Sequence, residues 1–312
     1  MDSEVLKLIQ VAKLYYEENL NQSEIAKRLG VSRPLISTML TKAKNMGIVE
    51  IKIKEPFANN SILLNQIQNV FNISGGFVIP SASSAYLTEK AIVNQCVQYL
   101  HDIMKDTKNL GLGWGYFMSK LVQAVVESEF PSTFEGSVSP LIGSATFPNK
   151  AYHPSELVRE FGEKTGLTPK FLFAPAFPMT EPERDLYVNT DNFRDVLDSW
   201  SELDTVILSI GTFPSVPDHA TALRFSDKLQ KEGAVGKILS YFYDKEGRII
   251  HGDDDFALQV PLEKLSRIKR VIAICPPEIN AKAILGALKT GFITHIILTE
   301  DKAKEVINIR SM

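Results

Sequence analysis

Between residues 76 and 298, short apolar runs alternate with longer amphipathic stretches. The runs are GFVIP (76–80), NLGL (109–112), VSPLI (138–142), KFLF (170–173), TVILSI (205–210), VIAIC (271–275) and THIIL (294–298). Helical periodicity fills much of the rest, at 85–104, 116–128, 154–165, 191–201, 221–231 and 279–290. Runs that are apolar at consecutive positions suit strands buried on both faces. A helix between two of them is the usual crossover joining parallel strands. The alternation therefore predicts an α/β domain with a mainly parallel sheet covered on both sides. The segment ILSYFYDKEGRIIHG (238–252) departs from the pattern. Its DKEG lies between two β-rich runs and predicts a hairpin inserted into that domain.

The first 56 residues read differently. Val5, Leu8, Ile9, Ala12 and Tyr15 or Tyr16 recur at helical spacing over 4–18. A second helix starts near Gln22 with Asn21 as N-cap and carries Ile25, Ala26 and Leu29 on one face. Gly30 ends it, because glycine accepts the left-handed backbone beyond a helix C-terminus. Ser32 is placed to cap a third helix whose first turn tolerates Pro34, with Leu35, Met39 and Ala43 or Leu40 as its buried stripe. Gly47 stops it, and IVEIKIK (48–54) alternates like a strand. Helix, helix, short turn, helix and strand make a winged helix-turn-helix, in which Ala26 fits the helix crossing and Val31 and Ile36 plug the space beneath. The third helix then exposes Ser32, Arg33, Pro34, Ser37, Thr38, Thr41 and Lys42. Short hydroxyls and cations on one face suit base edges and phosphates of a major groove. We expect a DNA-binding domain over 1–56 and a second domain over 57–312, joined by a linker at 56–61.

Charge agrees with a local rather than global nucleic-acid site. The 312 residues carry a net charge of −3, yet Gln22 to Lys54 hold seven basic and two acidic residues. The acidic amphipathic start is unlike a signal peptide, and no apolar run reaches the roughly 18 residues of a membrane span. Cys96 and Cys275 are far apart, lie in no C-x-x-C and have no histidine cluster beside them. That usage suits a reduced, cytoplasmic protein without structural zinc.

Ligands of open α/β sheets bind beyond the carboxyl ends of strands. Three glycine-bearing loops are placed there: GLGWGYF (111–117), LIGSAT (141–146) and SIGTF (209–213). Gly113 and Gly115 admit close backbone approach ahead of a helix N-terminus that favours an anion. Ser144 and Thr146 offer hydroxyls. A catalytic constellation is not evident. His153, His219, His251 and His295 are scattered, and DDD (253–255) lacks the spacing of a cation loop. No G-x-S-x-G, P-loop or H-E-x-x-H occurs. Cys275 reads as a buried structural thiol. No catalytic residue, metal site or cofactor is expected.

The segments AKLYYEENLNQSEIAKRLGVSRPLISTMLTKAKNMGIVEIKI, GLGWG, FLFAPAF, EGAVGKILSYFYDKEGRI and AILGALKTGFITHIILTEDKAKEVI occur in the order seen in one family. The chain resembles the SorC/DeoR-type, sugar-binding bacterial transcriptional regulators over nearly its whole length. The resemblance implies a winged helix-turn-helix and a Rossmann-like effector domain related to sugar-phosphate isomerases. It implies homodimers or homotetramers, double-stranded operator DNA as partner, and a sugar phosphate or related metabolite that switches DNA affinity. It places DNA contacts at Gln22, Ser23, Ser32, Arg33, Pro34, Ser37, Thr38 and Lys42. It places the effector among Gly113, Trp114, Gly115, Tyr116, Phe117, Gly143, Ser144, Ala145, Thr146, Lys237, Asp244 and Asn280, with Lys282 close by.

Three departures stand out. Phe117 replaces a small hydroxyl residue, Lys237 replaces Asp, and Pro276, Pro277 and Asn280 replace a glycine pair and a lysine. Proline supplies no N–H and asparagine no charge, so the phosphate cradle is partly dismantled. A small organic acid is thus a second candidate for the effector. Two rival functions differ in kind: an isomerase- or transferase-like enzyme carrying a helix-turn-helix, and an effector domain that only oligomerises.

Overall fold

A computed structural model describes residues 3–49, 60–145, 149–214, 219–253 and 255–310. The chain divides into two compact units, residues 1–57 and 58–312.

The first unit holds α1 (Ser3–Tyr16), α2 (Gln22–Leu29) and α3 (Arg33–Asn45). Asn21 caps α2 in a full capping box. Its side chain accepts from the N–H of Ser23 and Glu24 at 3.0 and 3.1 Å, and Glu24 reaches back to the Asn21 N–H at 2.8 Å. Gly30 closes α2 with φ 67°, the left-handed conformation expected of it. Val11, Leu14, Ile25, Ala26, Ile36 and Leu40 form the core between the helices. Two expectations fail here. Leu35 is 46% exposed and Val31 37% exposed. The buried stripe of α3 is Ile36, Leu40 and Ala43 at four- and three-residue spacing. Leu35 lies one residue off that stripe, about 100° around the helix, and so faces out. The strand expected at 48–54 falls largely outside the described residues; Ile48 and Val49 form a bend. Asn21→Ala should cost about 1 kcal/mol of α2 stability. Hydrogen exchange of the α2 amides should quicken about fivefold, and unchanged exchange would show that the cap contributes nothing.

The second unit opens with α4 (Ser61–Phe71), β1 (Gly75–Ile79), α5 (Ala85–Ile103), β2 (Asn109–Leu112), α6 (Tyr116–Glu127), β3 (Ser137–Pro140), α7 (Pro154–Thr165) and β4 (Thr168–Pro169). It continues with α8 (Glu181–Val188), α9 (Asp191–Ser201), β5 (Thr205–Thr212), α10 (His219–Phe225), α11 (Lys228–Lys231), β6 (Ala234–Ile238), β7 (Tyr241–Asp244) and β8 (Ile249–Ile250). It ends with α12 (Leu262–Leu265), β9 (Arg270–Ile274), α13 (Ala281–Lys289), β10 (His295–Thr299) and α14 (Glu300–Arg310). Seven strands pair in parallel in the order β1-β10-β9-β5-β2-β3-β4. Alternation along each strand divides the apolar residues between two cores. Val206 and Leu208 of β5, with Val271 and Ala273 of β9, join Trp200 and Ile284 on one face. Ile207, Ile272 and Ile274 join Leu121 and Phe161 on the other. Trp200 satisfies its indole N–H by donating to the Pro140 carbonyl at 2.8 Å.

The expected hairpin is present as β7 and β8, and β6 pairs antiparallel with both β7 and the end of β5. The fourth expected strand is displaced. Residues 170–173 are not strand, because Asn192 takes over their backbone pairing: it accepts from Phe173 N–H at 2.9 Å and donates to the Phe171 carbonyl at 2.8 Å. The helix expected over 221–231 is split at Ser226, whose φ of 48° cannot continue a right-handed helix. In α4 the buried residues are Leu64 and Ile67, whereas Ile62 is exposed.

Candidate functional site

The outer face of α3 gathers the residues expected to read DNA. Ser32 is the N-cap, but its hydroxyl makes no cap bond, so the helix does not use it. Arg33, Pro34, Ser37, Thr38 and Lys42 are exposed along the following turns, and Gln22 and Ser23 stand at the start of α2. Thr38 donates to the Pro34 carbonyl at 3.1 Å and Thr41 to the Ser37 carbonyl at 3.0 Å. Those two hydroxyls therefore offer a partner acceptor lone pairs and a methyl group rather than a proton.

In the second unit a cavity of about 590 Å³ opens beyond the carboxyl ends of β2 and β5. This lies in the range typical of small-molecule sites. It brings together Gly113, Trp114, Gly115, Tyr116, Ser144, Ala145 and Lys237 of the expected residues. Gly115 takes φ 94°, which favours glycine, and starts α6 without a side-chain cap. Trp114 and Phe177 rings lie 6.0 Å apart. Lys237 pairs across the sheet with Gly211, where an added Cβ would fall 3.0 Å from the lysine Cγ, so the missing side chain makes room for the lysine stem. The Lys237 ammonium lies 5.5 Å from the centroid of the Phe242 ring.

Five expected residues lie outside the lining, each for a physical reason. Phe117 follows Tyr116 by one residue and turns into the core with Leu121 and Val122, at 4% exposure. Gly143 lets two backbones approach; a Cβ there would meet the Pro175 carbonyl oxygen at 2.6 Å. Asp244 closes the hairpin turn, accepting from the N–H groups of Glu246 and Arg248 and from Arg248 Nε at 2.7 Å. Burial raises its pKa, but the hydrogen bonds from Arg248 and Glu246 prevail and hold its carboxyl below the ordinary range. Asn280 caps α13 by accepting from Ala283 N–H at 2.7 Å. Lys282 is exposed on α13. Thr146 lies outside the described residues.

Ser209 and Gly211 of the expected SIGTF loop also line it, as do residues the sequence reading missed: Arg224, Thr221 and Ser240, with Phe177, Leu208 and Leu239 as walls. Arg224 is 5% exposed. Its Nε and Nη2 grip Asp255 at 2.9 and 3.0 Å, and Nη2 also reaches the carbonyl and hydroxyl of Ser240. Its guanidinium lies 4.7 Å from the Phe177 ring centroid and 4.8 Å from that of Phe225. Asp255 is thus an ion-pair partner, as is Asp253, which binds Lys228 at 2.8 Å. Among the described residues, no group of three or more metal-ligating side chains occurs and no helix is long and apolar enough to cross a membrane. Both cysteines are free and buried, and burial pushes their thiols well up.

The model of a family described as "Putative sugar-binding domain" matches residues 55–308. The chain belongs to this family. It is 25% identical to the deoxyribonucleoside regulator of Bacillus subtilis, over 99% of each chain. It is also 25% identical to the sorbitol operon regulator of Klebsiella pneumoniae, over 95% of this chain and 96% of that one. The crystal structure of that full-length regulator, SorC, superimposes with a TM-score of 0.69 at 24% identity, covering 98% of this chain and 100% of its own. A transcriptional regulator from Streptococcus pneumoniae TIGR4 gives 0.72 at 20% identity, covering 81% and 98%. This SorC/DeoR-type chain is an effector-responsive transcriptional regulator, with DNA and a small molecule as its partners. In this SorC-type regulator the glycine turn before α6 and the strand β6 face one cavity.

Proposed function

We propose that residues 1–56 bind operator DNA through α3, and that residues 57–312 bind a small metabolite and hold the chain in a homodimer or homotetramer. Arg33, Ser32 and Ser37 read base edges; Pro34 and Thr38 make apolar and acceptor contacts; Gln22, Ser23 and Lys42 contact the phosphate backbone. The observation that carries this reading is the outer face of α3, where an unused N-cap hydroxyl stands beside an exposed arginine. The effector occupies the cavity beside Trp114 and Lys237. It acts by linkage, binding one arrangement of the oligomer better and so changing how two recognition helices are spaced. The names of the relatives point to sugar-type metabolites, and Lys237 in the lining of this chain makes organic acids equal candidates. We read the protein as cytoplasmic and non-catalytic: its relatives are named as regulators, and the described cavity lining offers no carboxylate or imidazole as an acid–base pair.

Fluorescence anisotropy with the duplex upstream of the protein's own gene tests the reading. Affinity should fall with salt, with a slope of log K on log salt of about −4 or steeper. Binding that ignores both salt and sequence would contradict it.

A further inference from the structure

We propose that the centre of the α3 face reads thymine methyl groups in the major groove, through the methyls of Thr38 and Thr41 and the ring of Pro34. The inference rests on the DNA-binding reading above and names the base chemistry that the helix selects. Its first support is position around the helix. At about 100° per residue, Ile36, Leu40 and Ala43 of the buried stripe span about 60°. Pro34, Thr38 and Thr41 are exposed and lie about 130–170° from the middle of that stripe, on the side turned farthest from the core. Arg33 and Ser37 are also exposed but lie nearer, at about 50–90°, along one flank. Asn45 shares the central line, but in the last turn, beyond the N-terminal turns that reach base edges.

Hydrogen bonding decides what the central line can recognise. The Thr38 hydroxyl donates to the Pro34 carbonyl at 3.1 Å, and the Thr41 hydroxyl to the Ser37 carbonyl at 3.0 Å. Each proton is thereby committed to the backbone of the helix itself. Proline carries no N–H. These three side chains thus present carbon and acceptor lone pairs, with no donor for guanine N7 and O6 or thymine O4. An adenine–thymine pair supplies what fits: the C5-methyl of thymine for the carbon groups and the N6–H of adenine for an acceptor. A guanine–cytosine pair supplies an N4–H donor but no methyl. Guanine acceptors and phosphates are left to the flank that carries Arg33.

Anisotropy titrations of the full-length protein compare two duplexes of the region upstream of its own gene, one made with thymine and one with uracil in its place throughout. Uracil lacks only the C5-methyl and keeps O4 and the pairing with adenine. Burying one methyl is worth about fourfold in affinity, so even half of the contacts expected over two half-sites should favour the thymine duplex by about fifteenfold. Thr38→Ser together with Thr41→Ser keeps both hydroxyls and removes both methyls. This variant should lose about fifteenfold on the thymine duplex and less than about twofold on the uracil duplex, at an unchanged unfolding temperature. Equal wild-type affinity for the two duplexes overturns the proposal, as does an equal loss by the variant on both. Either result leaves the DNA-binding reading standing where the thymine duplex is preferred to a random one. Absence of that preference overturns the DNA-binding reading, and the proposal with it.

Discussion

Asp255→Ala is expected to destabilise the second unit by about 3 kcal/mol, because removing one partner of a desolvated ion pair leaves the other charge uncompensated. Arg224 is buried to 4% side-chain exposure and Asp255 to 21%, so the pair belongs near the lower end of such losses. In a unit of this size the loss corresponds to a fall of about 6–12 °C in unfolding temperature. Differential scanning calorimetry reads it directly. Asp255→Asn keeps one acceptor for the guanidinium and should lose less. A fall of only a degree or so in Asp255→Ala would show that Arg224 finds water instead, and that its charge is not held in the cavity wall by this partner.

Arg33→Ala is expected to weaken operator binding by about 1–3 kcal/mol, about fivefold to 150-fold, if Arg33 pairs with a base edge. Binding to a random duplex should fall much less, since phosphate contacts are shared among many groups. Anisotropy titrations on the two duplexes at one salt concentration separate the cases. An equal loss on both would make Arg33 a backbone contact only. The exposed, polar first turns of α3 give the expectation its physical basis: the Ser32 hydroxyl makes no cap bond, and Arg33 and Ser37 are exposed beside it.

Local chemistry was the part of the fold most legible in the sequence. The helices expected at 154–165 and 191–201 have those bounds in the structure, and Asn21 and Gly30 punctuate α2 as their types require. Such features depend on residues a few positions apart. Features that depend on distant partners were hidden. Asn192 replaces strand pairing for Phe171 and Phe173 from some 20 residues away. Arg224 acquires its role from Asp255, 31 residues later, and from an antiparallel strand that carries Lys237 to the same cavity. Its signal in the sequence was faint: an arginine between apolar residues on a short helix, where a solvated charge would be the ordinary outcome. The resemblance named loops rather than side-chain directions. Phe117 and Tyr116 are adjacent in one such loop, yet one enters the core and the other lines the cavity. The resemblance sets Asp244 and Asn280 at the effector, yet both direct their polar atoms at nearby backbone groups. The resemblance sets Pro276 and Pro277 in a phosphate cradle, but the cavity's described lining does not include them.

The central claim is that a ligand in this cavity changes the hold of α3 on DNA. The direct measurement is operator affinity of the full-length protein, by anisotropy, with no added ligand and with a sugar phosphate or organic acid that raises its unfolding temperature, added at saturation. Operator affinity should change by at least about fivefold, in either direction, and the change should disappear in Lys237→Met at the same ligand concentration. Identical affinity with the cavity saturated and unsaturated would contradict it.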